Sequence, residues 1–122
     1  MKKYLPRVNV GGLFFDNLKM DEALLKMEEK ISNYKEEYKT NFILIANQDI
    51  LNQIKKYQSL YIDILNRSFL TVADGYSIVY ASKFLKTPLK ERVAGPDLMF
   101  NFIKISNIKG YKNFFLGAKE GV

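Results

Sequence analysis

The chain has 122 residues, 48% of them hydrophobic and 26% charged, the balance of one globular domain with a real core rather than a disordered segment. It holds no Cys and no His, which excludes disulfides, thiol nucleophiles, an imidazole base and most zinc sites, so acid–base chemistry falls to Asp, Glu, Lys or Tyr. The net charge of +6 suits an anionic partner such as phosphate, nucleic acid or a membrane surface, although Lys-rich codon usage gives the same balance.

Met1–Pro6 is basic without an apolar run, so no signal peptide is expected. No stretch reaches the ~18–20 apolar residues of a membrane span, so membrane contact is expected to be peripheral. Val8–Phe15 reads as two short strands about Gly11-Gly12. A helix is expected from about Met20 to Tyr38, because Leu24, Met27, Ile31, Tyr34 and Tyr38 form one apolar stripe. Asn41–Ala46 is a continuous apolar run, as in a buried parallel strand, and Asn47-Gln48-Asp49 ends it. A helical pattern then covers about Ile50 to Leu65, with Leu51, Ile54, Leu60, Ile64 and Leu65 toward the core. Phe69–Ala73 is a second buried strand, stopped by Asp74-Gly75, and a helix follows over about Ser77 to Leu85. Gly95-Pro96 opens another helix, with Leu98, Phe102 and Ile105 on one face, and Gly110 closes it. Asn113–Leu116 reads as a third buried strand, followed at once by Gly117-Ala118.

This alternation predicts an α/β fold: a parallel Rossmann-like sheet flanked by helices, with an N-terminal β-hairpin, over residues 1–122 as a single partial domain. Ligands of such sheets bind beyond the carboxyl ends of the strands. Three polar endings qualify: Asn47-Gln48-Asp49, Asp74-Gly75 and Gly117-Ala118. Asp74 on a strand end is placed to remove a proton, and Gly75 allows a sharp turn; equally, Asp74 could cap the next helix. Arg92, between two helices, could hold a phosphate with two parallel hydrogen bonds, or could pair with Glu91 or Asp97 on the surface. Lys83, Lys86 and Lys90 extend the positive charge nearby or form a solvated face. Gly117-Ala118 would let backbone approach a pyrophosphate. The sequence has no Walker A loop, no GxGxxG and no Asp-x-Asp, so a metal-held diphosphate has no obvious ligand set.

Val72–Lys83, VADGYSIVYASK, followed by Pro88–Leu98, PLKERVAGPDL, resembles the signature of the WecG/TagA/CpsF glycosyltransferases over about 27 residues. The opening hairpin, the strand ending in Asn and the Leu-Gly-Ala ending agree with it in order. The resemblance covers essentially the whole chain and about half of a typical family member, so the fold is expected to be truncated relative to the family. It implies inverting transfer of N-acetylmannosamine, or its uronic acid, from UDP to undecaprenyl-diphosphate-linked N-acetylglucosamine, with no metal or other cofactor. It makes Asp74 the base on the acceptor hydroxyl and Arg92 a neutraliser of phosphate charge. It places Asn47, Gly75, Lys83, Gly95, Gly117 and Ala118 on the substrate side, with Gln48 a rival for the Asn47 role. Two departures stand out: Ile45-Ala46-Asn47-Gln48-Asp49 where the family often has Thr-x-Asn-Ala-Glu, which removes a hydroxyl contact, and Ser77 in place of a second Gly.

The partners implied are a UDP-sugar donor and a lipid-linked acceptor at the inner face of the cytoplasmic membrane. A sugar- or phosphate-binding fragment without turnover is the alternative. Nucleic acid is not expected, because the aromatic residues fall mostly on apolar stripes. Self-association as a homo-oligomer is expected from apolar surface left uncovered.

Overall fold

The computed structural model describes residues 7–34, 40–57 and 59–121. Met1–Pro6 and the predicted helix end at Tyr38 lie outside the described residues, as does the side chain of Leu60. The chain opens with the hairpin β1 (Arg7–Val10) and β2 (Leu13–Asp16), antiparallel with Val10 opposite Leu13. Its two-residue turn needs positive φ at both positions, which Gly11 (64°) and Gly12 (92°) supply. A Cβ at Gly12 would also lie 2.6 Å from Ile62 Cδ1, so the end of that side chain would have to shift.

α1 runs from Met20 to Ser32. Its first turn is closed by Glu22, whose carboxylate accepts the Lys19 amide at 2.7 Å. The expected stripe divides. Leu24 and Met27 pack on the core, whereas Ile31 and Tyr34 are exposed. Ala23 and Leu18 are the fully buried residues here.

β3 (Ile43–Ala46) and β4 (Leu70–Ala73) form a parallel pair in which Ile43 faces Leu70 and Ala46 faces Ala73. β4 is buried throughout, as its Leu-Thr-Val-Ala run predicts. β3 is not: only Ala46 is buried and Ile45 is exposed. Its apolar run marks a strand, but burial depends on neighbours that the run does not specify. The connection is two helices rather than one, α2 (Gln48–Tyr57) and α3 (Ser59–Asn66). Ile54 is buried, Leu51 and Leu65 pack on the core, and Ile64 is exposed. α4 (Tyr76–Phe84) follows β4, and α5 (Gly95–Lys109) closes with Gly110 in the left-handed region at φ 72°.

Two apolar clusters form the core. One joins the hairpin, Ala46, Ile54, Ala73 and α4; the other joins α1, Leu70, Val72, Val93 and Leu98 of α5. Asp16, at the end of β2, is buried and ties the hairpin to β4. Its carboxylate accepts the Thr71 amide at 2.8 Å and pairs with Arg7 at 3.3 Å and Lys26 at 3.4 Å.

The third strand expected at Asn113–Leu116 is not formed. That segment is irregular, and Phe114, Phe115 and Leu116 are 88%, 68% and 93% exposed. A strand exists only through a ladder with a neighbour, and Asn113–Leu116 pairs with neither β3 nor β4. Among the described residues the sheet structure is therefore one parallel pair and one antiparallel hairpin, within the mixed α/β, partly built class the sequence predicts.

Candidate active site

β3 and β4 end side by side. The Asp74 amide donates to Ala46 O at 2.9 Å, so Asn47 and Asp74 leave the parallel pair together. Asn47 caps α2, its side-chain oxygen accepting the Ile50 amide at 3.2 Å. Gln48 is turned along α2 toward Asn52 at 3.3 Å. Strand register thus brings Asn47 to Asp74, while Gln48 is held along its own helix.

Asp74 does not cap α4. The cap position is Gly75, at an ordinary extended φ of −111°, so this turn does not demand glycine. Arg92 occupies Asp74 instead. Its Nε donates to Asp74 O at 2.6 Å and its Nη2 to Asp74 Oδ1 at 3.4 Å. The same guanidinium lies over the Tyr76 ring, 4.9 Å from its centroid. Arg92 therefore pairs with neither Glu91 nor Asp97. The pair is half-open, with side chains 35% (Arg92) and 26% (Asp74) exposed. Asp74 Oδ2 accepts no hydrogen bond, and Arg92 Nη1 donates none, among the described residues.

The Arg92 loop is fixed from three sides. The Val93 amide donates to Ala73 O at 2.9 Å, which lays the loop against the end of β4. The buried Ser82 hydroxyl accepts the Leu89 amide at 3.0 Å. Around the start of α1, Asn17 accepts the Lys90 amide at 2.8 Å, Glu22 pairs with Lys90 Nζ at 3.0 Å, and the Met20 amide donates to Glu91 at 3.2 Å. The Lys19 amide and Lys90 together hold the Glu22 carboxyl below its ordinary value of 4.5.

Gly95 is buried at the start of α5. A Cβ there would meet Ile45 Cγ2 at 2.9 Å and Asp74 Oδ2 at 3.6 Å. Its lack of a side chain brings the α5 start against β3 beside the carboxylate. Lys83 lies elsewhere, at the last turn of α4, with its ammonium over Tyr80; the rise along α4 carries it roughly 10 Å from the Asp74 end. Gly117 and Ala118 stand in irregular, exposed chain at φ 129° and 72°, with nothing within 4 Å of where a Gly117 Cβ would be.

Two contributors escaped the sequence reading. Tyr76 sits directly after Asp74-Gly75, and its adjacency to them was the available signal. Asn17 had none, because its contacts lie more than seventy positions away. A groove of about 440 Å³ lies at the other end of the strands, lined by Met27, Ile31, Tyr34, Ile43, Phe69 and Phe102 among others. It shares no residue with the Asp74 cleft. No group of three or more His, Cys, Asp or Glu residues able to hold a metal occurs among the described residues, and no helix among them is long and apolar enough to cross a membrane.

Chemically, the cleft offers a carboxylate oxygen able to take a proton, a guanidinium able to neutralise an anion, and a neighbouring amide side chain. The sequence profile of the glycosyl transferase WecG/TagA/CpsF family matches residues 8–122. N-acetylglucosaminyldiphosphoundecaprenol N-acetyl-beta-D-mannosaminyltransferases of Staphylococcus aureus strains NCTC 8325, COL and MRSA252 are each 37% identical to the chain over 118 residues. Each alignment covers 95% of this chain and 44% of the relative, so the chain spans less than half the length of these proteins. With the family signature carried on the Asp74–Arg92 cleft and the profile matched over nearly the whole chain, the chain belongs to the glycosyl transferase WecG/TagA/CpsF family.

Proposed function

We propose that this chain is the acceptor-activating part of an inverting glycosyltransferase. The donor is a UDP-sugar carrying N-acetylmannosamine or its uronic acid. The acceptor is undecaprenyl-diphosphate-linked N-acetylglucosamine, in the synthesis of teichoic acid or another cell-surface polysaccharide at the inner membrane face. The observation that supports the reading best is the Asp74–Arg92 pair at the carboxyl end of β4, with one carboxylate oxygen uncommitted.

In the step as proposed, Asp74 Oδ2 takes the proton of the acceptor hydroxyl. The deprotonated acceptor oxygen bonds to the anomeric carbon from the face opposite the leaving group, the bond from that carbon to UDP breaks, and the configuration inverts. Arg92 neutralises charge growing on the diphosphate, the kind of preorganised electrostatic contribution that dominates many enzymes. Tyr76 holds the guanidinium plane, and Asn47 contacts the sugar. The proposed step uses no metal, so EDTA is expected to leave transfer unchanged.

The test is transfer from UDP-N-acetylmannosamine to a lipid-diphosphate-linked N-acetylglucosamine. Asp74→Asn is expected to lower the rate about 10²–10⁴-fold with melting behaviour kept. Transfer by Asp74→Asn at the unsubstituted rate would remove the base assignment. A second reading, a sugar- or phosphate-binding unit without turnover, is favoured by the open position of Gly117 and Ala118. Calorimetric binding of the UDP-sugar with no turnover identifies it.

A further inference from the structure

An ordinary surface helix buries one face and presents charge on the other. α4 does not. Ile78, Val79 and Ser82 are buried in the core, yet the opposite face carries Tyr76, Tyr80 and Phe84 at successive four-residue steps, 60%, 63% and 89% exposed. Leu85 extends this stripe at 51% exposure. The Tyr76 and Tyr80 rings stack at 6.2 Å, and the Lys83 ammonium lies 5.7 Å from the Tyr80 ring centroid. Lys86 follows at a left-handed φ of 60° and is exposed. From Gly75 to Lys90 the chain contains Lys83, Lys86 and Lys90 and no acidic residue; Lys90 is engaged by Glu22, while Lys83 and Lys86 make no ion pair with any described residue.

Aromatic rings with a polar edge, an exposed Phe-Leu pair and flanking lysines of one sign are the chemistry of a helix lying in the headgroup region of an anionic bilayer. A second copy fits less well, because a two-fold contact through this face would bring lysines toward lysines with no carboxylate to oppose them. We propose that the exposed face of α4, from Tyr76 to Lys86, is a docking surface for an anionic lipid membrane. The stripe begins at Tyr76, under Arg92, so a docked bilayer would bring a lipid-borne acceptor to the Asp74 cleft. That purpose rests on the glycosyltransferase reading, whereas vesicle binding is measured without any transfer.

The chain has no Trp, so Phe84→Trp is a single fluorescent reporter. Vesicles of phosphatidylglycerol and phosphatidylcholine at low salt are expected to shift its emission to the blue, and brominated lipid to quench it. Leu25→Trp, on α1 among Asp21, Glu22, Glu28 and Glu29, is the control and is expected to stay unshifted. Lys83→Ala with Lys86→Asn, which tolerates the left-handed backbone at 86, is expected to lower partitioning roughly thirtyfold, from ~1 kcal/mol per basic residue at an anionic surface. Three results would each overturn the assignment: no shift of Phe84→Trp with anionic vesicles; an equal shift of the Leu25→Trp control; or a shift that follows protein concentration without lipid, which identifies a second copy as the occupant. A failed transfer assay alongside vesicle binding would remove the enzymatic reading and leave the docking surface standing.

Discussion

Asn17 grips the Lys90 segment with both ends of its amide: its oxygen accepts the Lys90 backbone N–H at 2.8 Å, and its nitrogen donates to the Pro88 carbonyl at 3.2 Å. Two residues later the same loop presents Arg92 to Asp74. A residue in the short link between β2 and α1 thus helps set where a guanidinium stands at the end of β4.

Asn17→Ala removes both hydrogen bonds and is expected to cost roughly 1–2 kcal/mol of stability, since each bond is exposed and modest. Under the proposed reading, transfer falls further than stability accounts for, because the Arg92 loop loses its anchor. Asn17→Asp keeps an acceptor for Lys90 and loses the donor to Pro88, so it should fall between Ala and the unsubstituted chain. Urea midpoints beside initial rates separate the two effects; rates that merely track the folded fraction would leave Asn17 as a stability residue alone.

Arg92→Lys keeps the charge and loses the fork. One ammonium cannot take the place of both Arg92 nitrogens that bond the Asp74 carbonyl and carboxylate while also lying over Tyr76. We expect kcat/KM to drop by about 10²–10³, the usual loss when one preorganised donor to developing charge is removed. An unchanged kcat/KM would count against a phosphate role.

Asp16→Ala tests the join between hairpin and sheet. The carboxylate is buried, but Arg7 and Lys26 are 29% and 28% exposed, so water recovers part of their loss. The Thr71 amide loses its acceptor. The expected destabilisation is roughly 2–3 kcal/mol, dominated by that unsatisfied amide and the uncompensated cations. Equilibrium urea unfolding checks it, and a loss under ~0.5 kcal/mol would mean that the hairpin is held by apolar packing alone.

Glu22 gives the pH dependence. Its folded carboxyl lies below 4.5 because the Lys19 amide and Lys90 stabilise the charged form. A lowered carboxyl contributes stability that is fully present above the unfolded value and is lost as pH falls through the folded value. Acidification below about pH 4.5 should therefore weaken both the α1 start and its hold on Lys90. Glu22→Gln should flatten that part of the profile in thermal melts. An unaltered acid limb in Glu22→Gln would assign it to other carboxylates.

The sequence by itself determined every element whose signal is local. Gly11-Gly12 specified a hairpin turn, because only glycine takes positive φ freely at both places. The short, largely apolar run at β4 and the polar stop after it put Asp74 at a strand end. The signature then named Asp74 and Arg92 eighteen residues apart. Tertiary structure decided what the local pattern could not. Whether an apolar run becomes a strand depends on a partner edge, which Asn113–Leu116 lacks. Whether a stripe is core or surface depends on what packs on it, and α4 carries aromatic rings on its open side. Which oxygen of Asp74 stays uncommitted, and which residue fixes the Arg92 loop, follow from hydrogen bonds between segments far apart in the chain. Such bonds leave no periodicity to read, because they belong to the packing of elements and not to any one element.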